Sequence, residues 1–328
     1  MHLIGPLAAL QFTVGTPETH LQRGAIPDYA LTYAPHTVLY SGEGWWPSDV
    51  ATHLDHVTPE VDFTPVTTES VTLDTLTSVS ARAFLSSDDD VEDNPAWLLS
   101  TDNTPNSSGL SRAPATIIAA DKGDYVDVFY FYFYSYNYGP LFLGERYGNH
   151  VGDWEHSMVR FVDGKPTHVY LSSHNSGFAY TYDAIQKQGA RPVVYVATGT
   201  HANYATAGAH NIISVAGTLV QDHTDDGPFW DVAQNYRGYW YNPDGTIDAA
   251  GGSGRGGSEQ TSESVDWLYW TGRWGDDQLP KDDPRQYCLL DFECHHVAGP
   301  TGPVRKNLGR KAVCQYEADC KILDSIWS

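Results

Sequence analysis

The stretch His150-Val151-Gly152-Asp153-Trp154-Glu155-His156 sets two imidazoles and two carboxylates close together on one short run of chain. Asp153 and Glu155 stand two residues apart, so on an extended chain both side chains point to the same face. His150 falls in a turn read from Gly148, Asn149 and Gly152, which folds it back toward that face. Two oxygen donors and one nitrogen donor suit a divalent cation, and they suit general acid–base chemistry as well. His156 alternates to the opposite face and ranks below His150 as a metal ligand. A carboxylate-rich set of this kind favours Ca²⁺, Mg²⁺ or Mn²⁺ over Zn²⁺, and each added imidazole moves the balance toward Mn²⁺ or Zn²⁺.

Further polar groups stand where other strands are predicted to end. Asp127 to Tyr138 alternates strictly, with Phe129, Phe131 and Phe133 on one face and Tyr130, Tyr132, Tyr134, Tyr136 and Tyr138 on the other. That is a period-two strand of high β propensity, its Phe rings inward and its Tyr rings on a wetter or second-layer face. It ends at Ser135, Tyr136 and Asn137. The predicted strand His168 to Ser173 ends in Ser172-Ser173-His174-Asn175, and Pro192 to Thr198 ends in Gly199-Thr200-His201-Ala202-Asn203-Tyr204. If the strands are neighbours, His150, Asp153, Glu155, His174, His201 and Asn137 meet in one pocket. His174 and His201 are then the candidate general acid and base. Tyr136, Asn137, His156, Asn203 and Tyr204 are candidate substrate contacts.

Closely spaced strands with turns such as Asp163-Gly164 predict a mainly β protein built on an antiparallel sandwich with a few short helices. One helix is expected from Pro47-Ser48-Asp49 through Val50, Leu54 and Val57, stopping at Pro59, and another around Leu73, Leu76 and Val79. Residues 86–110 read as a surface loop, Asp183 to Gln188 as a helical turn, and 211–221 as one more strand. The run 249–258 is a Gly- and Ser-rich loop. Trp230, Trp240, Trp267, Trp270 and Trp274 are expected to wrap a C-terminal layer onto the sandwich, with a carbohydrate groove as the alternative. The 328 residues are read as a single large domain, its core over about 29–220 and a C-terminal extension over about 221–328.

The formal charge of −22, from 41 acidic and 19 basic residues, weighs against nucleic acid as a partner. No apolar run is long enough to span a bilayer. Cys288, Cys294, Cys314 and Cys320 read as two disulfides pinning a loop-rich tail, hence an oxidising compartment. Zinc is the rival reading, but these spacings, beside His295 and His296, do not match a C-x-x-C ribbon. Asn106-Ser107-Ser108 is a glycosylation sequon. Met1 to Leu10 lacks a basic n-region and reads as a mature terminus behind an added Met. Secretion therefore rests on the cysteines, the vacuolar lumen is the alternative, and a monomer is expected.

The runs Y-F-Y-S-Y-N-Y-G, G-N-H-V-G-D-W-E-H, Y-L-S-S-H-N-S-G and G-T-H-A-N-Y resemble the vacuolar protein sorting-associated protein 62 family, as does the earlier Y-A-P-H-T-V-L-Y-S-G-E-G-W-W-P-S-D-V. The resemblance covers about residues 29–220. More distantly, the motif is similar to the G-H-R-H-D-W-E of necrosis- and ethylene-inducing-peptide-like proteins, where the first His, the Asp and the Glu hold a divalent metal in an actinoporin-like β-sandwich that engages sphingolipid sugar head groups. That resemblance implies His150, Asp153 and Glu155 as metal ligands, with His174 matching a later histidine. Gly152 replaces the second His of that motif, and no Asp stands at the fourth ligand position, for which Asn137 and Glu145 are the candidates. Toxin activity does not follow. The expectation is a secreted, divalent-metal-dependent hydrolase or lyase acting on a glycan or on a glycolipid or phospholipid head group. A metal-dependent lectin-like binder with a Trp-rich rim is the alternative, and a structural or trafficking protein the third reading.

Overall fold

The alternation of the aromatic strand is the key to the architecture. In the computed structural model, which describes residues 24–327 apart from 216, 254–258, 261–263, 290–292 and 319, Val126–Asn137 lies inside a nine-stranded sheet. Its antiparallel neighbours are Ala115–Asp121 and His150–Val162. Phe129, Phe131 and Phe133 enter one core with Trp154, Met158, Trp267 and Trp274, whereas Tyr130, Tyr132 and Tyr134 enter another with Leu39, Val194, Val196 and Trp230. The second core lies against a smaller sheet containing His36–Val38, Arg191–Val196 and Phe229–Asp231. The protein is therefore a mainly β sandwich, with the Tyr face between the sheets and the Phe face under a Trp-rich C-terminal layer.

The Tyr face is as dry as the Phe face, not the wetter one expected. Buried hydroxyls need partners. Tyr130 donates to the Ala30 carbonyl at 2.6 Å, and the Tyr132 and Ser157 hydroxyls lie 2.6 Å apart. Each fully buried Phe ring contributes about 1.5–3 kcal/mol of transfer free energy, so both faces drive the same association. Trp230, Trp267, Trp270 and Trp274 are all buried. Trp267, Trp270 and Trp274 form the wrapping layer on the Phe face, Trp230 sits between the sheets, and none of the four forms a rim.

Local elements depart from expectation where tertiary contacts decide. The first helix is Val50–Leu54, capped by Asp49, which accepts from the Ala51 N–H at 3.0 Å. It stops three residues short of Val57, because Val57–Val61 pairs as a strand with Phe84–Ser87. Of the second helix only a 3₁₀ turn, Leu76–Ser78, forms. The supposed loop 86–110 holds the helix Ala96–Leu99 and two 3₁₀ turns, with buried Val91 and Leu98 packed beside Tyr136 and Val151. Asp183 to Gln188 is a turn leading into the short strand Lys187–Gln188, which doubles back onto Arg191–Pro192. Residues 211–221 belong to a hairpin, Gly208–Val215 with Thr218–Thr224. Ile247–Ser253 is a strand rather than loop, and it extends the large sheet beyond Tyr236–Tyr241. Met1 to Leu10 and residues 254–258 lie outside the described residues.

Most pairings are antiparallel, but His36–Val38 runs parallel to Arg191–Val196, and Tyr236–Tyr241 parallel to Ala115–Asp121. Disulfides join Cys288 to Cys294 and Cys314 to Cys320, so the cysteines are not zinc ligands. Among the described residues no helix is long and apolar enough to cross a membrane.

Candidate functional site

Register places the acidic pair. Along the aromatic strand Asp153 stands opposite Tyr134, Glu155 opposite Tyr132 and His150 opposite Asn137, while His156 faces Phe131. Both carboxylates thus lie on the Tyr face, between the sheets. Gly152 adopts φ +66°, and a Cβ there would meet the Trp274 carbonyl oxygen at 1.9 Å, so only glycine fits this turn. His150 Nδ1 lies 2.6 Å from the Gly152 carbonyl, which accepts its proton and leaves Nε2 with a lone pair. Asp153 Oδ2 is 2.9 Å from His201 Nδ1, and Glu155 Oε2 accepts from the Ser172 hydroxyl. His174, just past the strand Lys165–Ser173, holds Nε2 at 2.7 Å from Asp222 Oδ2. Asp222 also accepts from Thr200 at 2.6 Å and Tyr204 at 2.7 Å. Asn137, His150, Asp153, Glu155 and His174 line one cavity of about 640 Å³, together with Arg273 and Lys306 from the C-terminal region and an apolar wall of Ile212, Ile213, Val215 and Val220.

A model of the vacuolar protein sorting-associated protein 62 family matches residues 123–237. A vacuolar protein sorting-associated protein named TDA6 from Saccharomyces cerevisiae is 37% identical over 89% of this chain and 69% of its own length. Vacuolar protein sorting-associated protein 62 of the same yeast is 35% identical over 90% of this chain and 68% of its own. The chain belongs to the vacuolar protein sorting-associated protein 62 family. Among solved structures, the non-toxic HaNLP3 protein covers 70% of this chain and 81% of its own at 12% identity and TM-score 0.30. Necrosis and Ethylene inducing Protein 2 from the agent of cocoa's Witches Broom disease covers 68% and 76% at 11% identity and TM-score 0.29.

In this family member burial sets the electrostatics. Burial, then the Asp153 charge, pushes Glu155 up to about 7, with Lys306, Ser172 and His174 opposing. Burial holds His150 below the usual histidine range despite Asp153. For His174 burial pulls downward, but the hydrogen bond and charge of Asp222 outweigh it, and the net direction is up. Asp222 answers in kind: burial pulls it upward, His174, Thr200 and Tyr204 outweigh that, and it ends below the usual carboxylate range. The two shifts run in the opposite directions that mutual attraction of the pair requires.

The predicted residues divide between cavity and frame. His201 is fully buried, its ring stacked on Tyr134 at 3.6 Å between centroids and its Nε2 3.1 Å from the Trp45 carbonyl. With both nitrogens engaged it orients Asp153 from behind rather than facing the cavity. His156 is buried beside Phe131 and Tyr170, and neither ring nitrogen has a hydrogen-bond partner. Burial holds it neutral. Asn137 donates to the Gly148 carbonyl at 2.8 Å at the cavity edge. Tyr136 packs with Val151 and Leu98, buried Asn203 reaches toward Ser172 Oγ at 3.5 Å, and Tyr204 supports Asp222. Glu145, in a small hairpin, does not line the cavity. The ligand atoms of His150, Asp153 and Glu155 do not all lie within 4.8 Å of one another, so the trio shares a cavity without being closed on one point. Sequence reasoning missed Ser172, Asp222 and Lys306. Ser172 lies within a quoted strand end, but Asp222 and Lys306 stand in stretches with no local signature.

Proposed function

We propose that the cavity is a divalent-cation-dependent site of hydrolase or lyase type, acting on a glycan or on a glycolipid or phospholipid head group. One observation carries this reading: His150, Asp153 and Glu155 line one cavity and each has one polar atom tied to an outer partner, as metal ligands with supporting hydrogen bonds do. The adjacent buried carboxylates of Asp153 and Glu155 fit a cation, with Ca²⁺, Mg²⁺ or Mn²⁺ preferred over Zn²⁺ by the oxygen donors. When bound, such a cation polarises a phosphoryl or carbonyl oxygen or activates water. His174, held by Asp222 and raised by it above the usual histidine range, would give a proton to a leaving oxygen. Lys306 lines the cavity with no hydrogen bond or ion pair to its ammonium among the described residues, which suits an anionic group on the substrate. The apolar wall, with Ile213 half exposed, suits a lipid or sugar face beside it. Two disulfides and relatives named for vacuolar protein sorting support work in the vacuolar lumen or outside the cell.

A lectin-like binder is the second reading, favoured by the engagement of His201 in the frame, which leaves His174 as the one histidine with a lone proton-transfer role at the cavity. The chain, supplied in turn with Mn²⁺, Mg²⁺ and Ca²⁺, is assayed on panels of glycans and of glycolipid and phospholipid head groups. Turnover that falls at least about 100-fold in Asp153→Asn and His174→Ala supports the enzyme, since acid–base groups contribute about 10²–10⁴-fold. Binding without turnover, lost in Asp153→Asn, selects the lectin. Neither turnover nor binding on any panel refutes both.

A further inference from the structure

Glu92, in the turn Val91–Asp93, meets His295 and His296, which directly follow the disulfide-bonded Cys294. Among the described residues these three are the only set of His, Cys, Asp or Glu whose ligand atoms all lie within 4.8 Å of one another. Glu92 Oε1 is 2.8 Å from His296 Nε2 and 3.2 Å from His295 Nε2. His295 Nδ1 lies 2.7 Å from the Arg146 carbonyl oxygen. A carbonyl only accepts, so Nδ1 carries a proton and Nε2 is the ring atom turned toward the carboxylate oxygen. The Asn149 amide nitrogen lies 3.2 Å from Nδ1 and 3.4 Å from Nε2, farther from each than the carbonyl and carboxylate oxygens they face. An N–H given to a carbonyl on the far side of the ring is also the outer support that ligating histidines take.

We propose that Glu92, His295 and His296 form a second metal site, selective for Zn²⁺ and independent of the His150, Asp153 and Glu155 set. Two imidazoles and one carboxylate match zinc's nitrogen and oxygen preference and leave a fourth position open, whereas Ca²⁺ and Mg²⁺ demand more oxygen. The Glu92 side chain is 50% exposed, so the ion enters from solvent. Tyr287 stacks on His295 at 4.4 Å between centroids and fixes the ring. Asn149, the residue before His150, forms a backbone bridge with His296. Zinc here joins segments about 200 residues apart in sequence and braces the start of the strand that carries His150.

Metal-free chain is titrated with Zn²⁺ alone by calorimetry near neutral pH, and with Co²⁺ by visible absorption. Glu92→Gln and His295→Gln should each weaken Zn²⁺ binding at least about tenfold and dim the Co²⁺ bands, while Asp153→Asn/Glu155→Gln leaves this binding intact. Zn²⁺ should raise the melting temperature of the parent chain and not that of Glu92→Gln. Melting of Glu92→Gln in EDTA at the parent temperature shows that the half-exposed substitution has not unfolded the chain; His295→Gln gives the same check at a second ligand. Unchanged stoichiometry and affinity in both variants overturns the site and leaves Glu92 paired with an imidazolium. So does Zn²⁺ binding lost only in Asp153→Asn/Glu155→Gln.

Discussion

Removing His201 should be among the most costly single changes at the site. Its side chain is 0% exposed and that of Asp153 7%, with Nδ1 and Oδ2 at 2.9 Å. Deleting one partner of a buried pair leaves the other without compensation, at a cost of about 3–5 kcal/mol. The ring also lies flat on Tyr134, at 3.6 Å and 2° between planes, and loss of such stacking costs about 0.5–1.5 kcal/mol more. His201→Ala should therefore lose about 3.5–6.5 kcal/mol, a large part of the 5–15 kcal/mol that typical proteins possess. Asp153→Asn keeps an acceptor and should cost less. Urea denaturation of the two single variants and the double variant, with EDTA present and disulfides intact, gives the coupling between them. A charge-assisted hydrogen bond predicts at least about 1.5 kcal/mol of coupling. Additivity within about 0.5 kcal/mol would show that His201 does not hold Asp153, and the frame described for the carboxylate would be wrong.

Gly152→Ala forces a Cβ toward the Trp274 carbonyl at a positive φ; a loss of about 2 kcal/mol or more is expected by thermal or urea melting, and a loss below about 0.5 kcal/mol contradicts the turn. Asp276 accepts the Ser87 N–H at 2.7 Å, yet burial pushes it up from 3.8 to about 6. The native state then holds the proton more tightly than the unfolded chain, so stability falls as pH rises between those values. Asp276→Asn should gain about 3 kcal/mol over the parent above about pH 7 and little below about pH 3.5, and an equal effect at both would count against the assignment. Lys306→Gln should weaken binding of an anionic head group such as an inositol phosphate about tenfold, or about 1.4 kcal/mol, and leave a neutral sugar unaffected; equal weakening of both would place Lys306 outside the anion's reach.

Residues read by period two gave the centre of the fold correctly, because a sheet buried on both faces must alternate. Phe and Tyr sorted to opposite cores, and Asp153 and Glu155 to one face, from spacing alone. The dryness of the Tyr face was not legible, since hydroxyls signal water until their partners, the Ala30 carbonyl and Ser157, are known. Short helices failed where a distant strand competed: Val57 fits a helical spacing, but pairing with Phe84–Ser87 claims it. At the site, strand ends brought His150, Asp153, Glu155, His174 and Asn137 to one cavity as their positions suggested. His201 could not be told from His174 by sequence, because both follow strands and both adopt positive φ; only the stacked Tyr134 and the Trp45 carbonyl set them apart. Asp222 and Lys306 arrive from the hairpin and a C-terminal turn, with nothing local to announce them.

Mn²⁺ binding followed by electron paramagnetic resonance tests the central cavity most directly. In a Glu92→Gln background, which weakens the second site, the metal-free chain should take up one Mn²⁺, and Asp153→Asn/Glu155→Gln should abolish that uptake while the chain stays folded. Mn²⁺ bound equally by both, or by neither with Ca²⁺ and Mg²⁺ also unable to shift the melting temperature, would contradict a cation at His150, Asp153 and Glu155.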